Sequence, residues 1–157
     1  MPIKNAIDKL ENQGKKHKLP RVIKIDKKLA KRWGAGTCVI PDPKEVNAIM
    51  KKVPKGKLTT INDIRAKLAK KHKATIACPI TTGIFGSICA QAAEEMRTLG
   101  KKQITPYWRT LKVKGEINSK YPGGVKGQKK ILEQEGHKVI TKGARLFVED
   151  YEKKLVK

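Results

Sequence analysis

Aromatic residues are scarce in this chain: two Trp, three Tyr and two Phe among 157 residues, or 4%. So few rings exclude a core built mainly on aromatic packing. Wherever two rings stand together, they need a reason. Acidic residues are scarce too. Fourteen Asp and Glu face 37 Lys and Arg, a formal net charge of +23. Such a surface attracts polyanions, and nucleic acid is the usual one. An anionic membrane surface and a merely solubilising charge are the other readings. Cysteine is limited to Cys38, Cys78 and Cys89, without CxxC spacing. That excludes a zinc ribbon by motif, and an odd, sparse set does not make a disulfide framework. No apolar run approaches the ~20 residues of a membrane span. The opening MPIKNAIDKLENQGKKHKL has no apolar core like that of a signal peptide. The expectation is a cytoplasmic, monomeric protein with no metal, no cofactor and no membrane.

What is present sorts into a basic extension, residues 1–42, and a domain, residues 43–157. The first twenty residues read as a mobile arm or a weak helix, and Val22 to Ile25 as a short strand. Asp42, Pro43 and Glu45 form a capping box for a helix with Val46, Ile49 and Met50 on one face. Thr60 caps the next helix, which runs to about His72 with Ile61, Ile64, Ala66 and Leu68 inward. Thr81 or Thr82 starts a longer helix in which Ile84, Ile88, Ala92, Met96 and Leu99 recur at helical spacing, ended by Gly100. Residues 104–113 read as extended, 125–135 as a helix, and 137–151 as a hairpin about Lys142-Gly143. The fold class is α/β, with a winged-helix-like domain.

The helices near 61–72 and 82–99 make a candidate helix-turn-helix. Its second helix would present Thr81, Thr82 and Gly83 to a duplex, small residues that let backbone N–H groups approach phosphate. Lys57, Thr60, Lys67, Lys70 and Lys71 would supply further phosphate contacts. Packed helix pairs with solvated lysines look similar, so this unit acquires meaning only beside the net charge.

The order of motifs adds to this. KVPKGKLTTINDI is followed by CPITTGIFG, ITPYWRTLK, KYPGG and KKILEQEGH. Over residues 43–139 this order resembles the DNA-binding domain of the alkylguanine-DNA alkyltransferases. Where that family carries Pro-Cys-His-Arg, this chain has Pro106-Tyr107-Trp108-Arg109. The paired rings thus stand at the positions of the alkyl-accepting cysteine and its histidine. A phenol with a pKa near ~10 is neutral at pH 7, and indole is no base. The resemblance therefore implies the alkyltransferase-like branch, which binds O-alkylated guanine without repairing it. It also implies a pocket of Pro106, Tyr107, Trp108, Arg109, Tyr121, Gly123, Gly124 and Glu135, with no catalytic residue. Glu135 matches the family glutamate and becomes an acceptor for the Trp108 indole.

Two family features are missing. The arginine that fills the gap left by a flipped nucleotide corresponds to Gly83, and the phosphate-rotating tyrosine to Ile61. Arg65 and Arg97 are the candidates for replacing them. The implied partners are double-stranded DNA, alkylated DNA in particular, and a repair protein. Two other readings stay open. One is a DNA- or RNA-binding architectural or regulatory protein without lesion preference. The other is a divergent alkyltransferase using another cysteine. Purely structural roles for Tyr107 and Trp108 also stay open.

Overall fold

The computed structural model describes residues 4–156. Among the described residues the chain is an α/β protein of six α-helices with short strands between them. Helix α1 spans Ala6–Lys16 and buries Ala6, Leu10 and Gly14, a narrow stripe four residues apart. The segment read as an arm or weak helix is thus a docked helix, packed on α5 (Pro79–Thr98) and α3 (Pro43–Lys51). Two contacts explain the docking. Asn5 offers α1 no side-chain cap, and the Glu95 carboxylate of α5 accepts from the N–H groups of Ala6 and Ile7 at 2.7 and 3.3 Å instead. At the other end Gly14 lies against Asp42, where a Cβ would fall 2.0 Å from the carboxylate. Contacts therefore cross the expected boundary at residue 42.

Strand β1 (Arg21–Lys24) pairs antiparallel with β2 (Thr37–Ile40), with α2 (Lys27–Trp33) between them in sequence. Strand β2 pairs in parallel with β4 (Ile76–Ala77), so the sheet order is β1-β2-β4. Helix α3 has the expected capping box. Asp42 Oδ1 accepts from the Lys44 N–H at 2.9 Å, and the Asp42 N–H donates to Glu45 Oε1 at 3.1 Å. Glu45 is used twice: its other oxygen meets Lys71 Nζ and His72 Nε2, each at 2.7 Å, and ties α3 to the end of α4 (Ile61–Lys71). Thr60 caps α4 as expected, its hydroxyl accepting from the Asp63 N–H at 3.1 Å.

Helix α5 begins earlier than the threonines suggest. Cys78 is its N-cap, the sulfur accepting from the Thr81 N–H at 3.5 Å, and Pro79 occupies the first turn, where a missing N–H does no harm. Its buried stripe is Thr82, Phe85, Ile88, Cys89, Ala92 and Ala93. Ile84 and Leu99, expected inside, are 51% and 74% exposed. Strand β3 (Thr59–Thr60) pairs in parallel with β5 (Thr110–Leu111), and α6 (Gly124–Gln134) leads to the hairpin of β6 (Val139–Lys142) and β7 (Arg145–Val148).

Three apolar clusters result. The largest joins α1, α3, α4 and α5 with Tyr107 and Tyr121. A second gathers Leu58, Leu111, Ile117, Leu132 and Val148 under α6 and the hairpin. The third, Ile25, Cys38 and Cys78 with Leu29, Ala30 and Trp33, seats α2. Trp108 packs against both of the first two. Because Leu10 is 3% exposed inside the largest cluster, Leu10→Ala is expected to lower unfolding free energy by about 2–5 kcal/mol. Urea denaturation measures it, and a change under about 0.5 kcal/mol, the range of surface substitutions, would mean that α1 is not docked in solution.

Candidate nucleic-acid interface

Residues 107–109 do not run on as a strand. They make one 3-10 turn before β5. This corrects the extended reading of 104–113. Both rings turn inward. Tyr107 meets Trp108 edge to face, with centroids 5.2 Å apart, and Tyr121 likewise at 5.8 Å. Tyr107 is 3% exposed, and its hydroxyl donates to Glu94 Oε2 on α5 at 3.0 Å. Burial, then the Glu94 carboxylate, pushes the phenol well above its ordinary pKa. It is held neutral.

Trp108 and Arg109 converge on one carboxylate. The indole N–H donates to Glu135 Oε2 at 3.1 Å, as the sequence suggests. Arg109 adds a fork: Nε to Oε1 at 2.9 Å and Nη2 to Oε2 at 2.7 Å. Its remaining Nη1 donates to the Val53 carbonyl at 2.8 Å, just beyond the end of α3. Burial alone opposes ionisation of Glu135. The hydrogen bonds from Arg109 and Trp108, with the Arg109 charge, outweigh it and hold the carboxyl below its usual range.

Pro106, Tyr107, Trp108, Arg109, Tyr121 and Glu135 therefore come together, but as a packed joint. The expectation that they line an open pocket is corrected, because the rings fill the space they were expected to border. Tyr121 is 2% exposed, with its hydroxyl near Gly86 and without a hydrogen-bond partner. Gly123 and Gly124 lie at the start of α6 with φ of 81° and 62°, a backbone that favours glycine, and they turn the chain into the helix.

The open space lies one layer away. A cleft of about 710 Å³ is bounded by Ile61, Asn62 and Arg65 of α4, by Pro79, Ile80, Gly83, Ile84 and Ser87 of α5, and by the 112–120 segment. The Ile61 side chain, on the cleft, and the Tyr121 hydroxyl, which does not line it, both lie beside Gly86. Ile80, Ile84 and Val113 are 60%, 51% and 52% exposed, three of the largest apolar surfaces left to solvent. Arg65, Lys112 and Lys120 supply charge around them. Arg65 is fixed by bonds from Nε to the Ala77 carbonyl at 2.9 Å and from Nη1 to Asn62 Oδ1 at 3.1 Å. An apolar floor with a cationic rim suits a polyanion that also carries flat or apolar groups.

Of the residues expected to meet DNA, only Gly83 borders this cleft. Nothing stands within 4 Å of where its Cβ would be, so the helix backbone is bare there. Thr82 is fully buried, Thr60 is engaged as a cap and the Thr81 hydroxyl is sealed, which corrects their placement on the groove-facing surface. The physical reason is that α5 starts at Pro79, so Ile80 and Ile84, not the threonines, lie on its outer side. Lys57, Lys67 and Lys70 are exposed outside the cleft, and Lys71 is paired with Glu45. Ile80, Ile84, Lys112 and Lys120 were missed by sequence reasoning. Their one signal is that they lie within or close to the motifs CPITTG, PYWR and YPGG.

The three thiols offer no exposed nucleophile. Cys38, Cys78 and Cys89 are all buried. Burial raises the Cys38 pKa to about 11 and pushes Cys89 higher still. Among the described residues, no group of three or more His, Cys, Asp or Glu could hold a metal ion, and no helix is long and apolar enough to cross a membrane.

No family model matches the chain, and no curated protein matches it. Two solved structures are similar to it in part. One is S. pombe Atl1 in complex with damaged DNA containing O6-carboxymethylguanine, at 20% identity and a TM-score of 0.47. The other is S. pombe ATL in complex with DNA, at 18% identity and a TM-score of 0.46. Each likeness covers 73% of this chain and 94% of the other.

Removing the Glu135 charge strands the Arg109 guanidinium. Glu135→Gln is expected to cost about 3–5 kcal/mol, the usual penalty for breaking a buried pair. A depressed carboxyl pKa stabilises the fold above the unfolded value near ~4.3 and loses that stabilisation as pH falls through the lower folded value. The variant should therefore lose less stability than the parent below about pH 4. Parallel acid dependences in denaturant titrations would place the carboxylate outside the fold's electrostatics.

Proposed function

We propose that this chain is a non-catalytic protein that binds duplex DNA through the cleft between α4, α5 and the 112–120 segment. The observation that carries the reading is the cleft itself. It has an apolar floor left in water, a cationic rim, and the bare backbone of Gly83 in a chain of net charge +23. Ile80 and Ile84 are apolar wedges of the kind that enter grooves between base steps, and Arg65, Lys112 and Lys120 fit the flanking phosphates.

The finer reading is the alkyltransferase-like one. The motif order supports it, and so does the chemistry at the acceptor position, where a neutral, hydrogen-bonded phenol replaces a thiolate. The cleft volume lies within the ~300–1,000 Å³ usual for ligand sites, so an extrahelical O-alkylguanine base fits the opening rather than the filled space behind it. A monomer that marks such a lesion for a repair partner completes this reading. One observation favours binding without lesion preference instead. Gly83 has no side chain to replace an extruded nucleotide, and Tyr107 and Tyr121 close on each other.

Competition between a duplex carrying O6-methylguanine and the same duplex with guanine separates the two. The alkyltransferase-like reading predicts a preference above tenfold. Affinities within about 1.4 kcal/mol support the second. Ile84→Glu, at an exposed position, is expected to weaken binding to both duplexes at least tenfold while leaving the unfolding midpoint in place. Unchanged affinity would remove the cleft from the interface.

A further inference from the structure

Outside the cleft, a run of uncompensated charge lies on β1 and α2. Between residues 21 and 32 stand Arg21, Lys24, Lys27, Lys28, Lys31 and Arg32 against one acid, Asp26. The Asp26 carboxylate already caps α2, accepting from the Leu29 N–H at 2.8 Å. All six cations are exposed, and among the described residues none of them is in an ion pair.

The arrangement is directional. Helix α2 packs inward through Leu29, Ala30 and Trp33 against Cys38 and Cys78, and leaves Lys27, Lys28, Lys31 and Arg32 outward. Strand β1 is the sheet edge, with all four side chains exposed. Edge strands use cations to discourage pairing with other chains, which accounts for Arg21 and Lys24 beside Val22 and Ile23. It does not account for the four on α2. Nor does α2 need them, because its attachment is apolar.

This surface is mechanically continuous with the cleft. Cleft residue Arg65 bonds to the Ala77 carbonyl of β4, Ala77 is the register partner of Val39 in β2, and Val39 is the partner of Val22 in β1. Cys78, against which α2 packs, is the cap of α5 immediately before Pro79 and Ile80 of the cleft. Two strand spacings put β1 roughly 10 Å from β4. That is about three base pairs along a duplex axis at ~3.4 Å each.

We infer that the outer face of β1 and α2 is a second phosphate-binding surface, which takes the backbone of the same duplex beyond the segment held in the cleft. It rests on the duplex-DNA reading above, and it adds reach and affinity without sequence preference, because phosphate contacts position rather than read. A duplex bound in the cleft then gains contacts on one flank only, the flank toward β4.

The test uses the full chain and a plain duplex long enough to extend past the cleft on both sides. The slope of log K against log salt is measured for the parent and two triple variants of equal charge change. One is Lys27→Gln/Lys28→Gln/Lys31→Gln. The other, Lys4→Gln/Lys101→Gln/Lys102→Gln, lies toward the far end of α5, ~30 Å from its first residue. Each phosphate contact contributes about −0.9 to the slope, so the α2 variant is expected to be shallower by roughly 2–3 and the distal variant unchanged. Equal flattening by both variants would overturn the inference in favour of diffuse charge. An unchanged slope in the α2 variant would overturn it as well, leaving the cleft reading standing on the parent's own slope and on the loss in Ile84→Glu. A parent that binds without salt dependence would overturn both readings.

Discussion

One carboxylate holds the joint on which the binding face depends. Glu135, at the end of α6, receives the Arg109 fork and the Trp108 indole, while Arg109 also reaches the Val53 carbonyl beyond α3. Three separate parts of the chain meet there, and Trp108 packs on the two larger apolar clusters at once. The guanidinium and carboxylate are 14% and 7% exposed, so neither is solvated well enough to stand alone. From this joint the chain runs into β5 and then into the 112–120 segment, which is one wall of the cleft. On the opposite wall, α4 is tied to α3 by Glu45 and to β4 by the Arg65 bond to the Ala77 carbonyl. Polar joints thus anchor both walls to the rest of the fold.

The scarce rings take their meaning from that joint. Tyr107, Trp108 and Tyr121 are three of only seven aromatic residues, and all three stack here. Tyr107 stands where the family that the motif order resembles keeps a reactive sulfur. In this chain the position holds a neutral phenol bonded to Glu94, and the chain's own thiols are buried. What the surface retains is charge, an exposed apolar strip and a bare helix backbone. Those properties suit contact with a polyanion.

Much of this was legible from the sequence where the signals are local. The Asp42–Glu45 capping box, the Thr60 cap, the hairpin about Lys142-Gly143 and the indole bond to Glu135 all follow from residues a short distance apart or from a motif pair. The misses have separate causes. Helix α5 gained a turn because Cys78 can cap and Pro79 can open a helix, and this rotated the expected outward threonines inward and Ile80 and Ile84 outward. The docking of α1 depends on Glu95 and on the gap at Gly14, partners distant in sequence that no periodicity reveals. The inward turn at Tyr107 depends likewise on Glu94 being within reach.

On the proposed function, duplex DNA lies on the face formed by the start of α4, the first turns of α5 and the 112–120 segment. Amide hydrogen exchange, with and without a plain duplex, tests this most directly. Slowed exchange is expected to concentrate at residues 61–65, 80–87 and 112–120, with the β6–β7 hairpin unaffected. Slowed exchange in the hairpin or along α6, with the cleft segments unchanged, would contradict it.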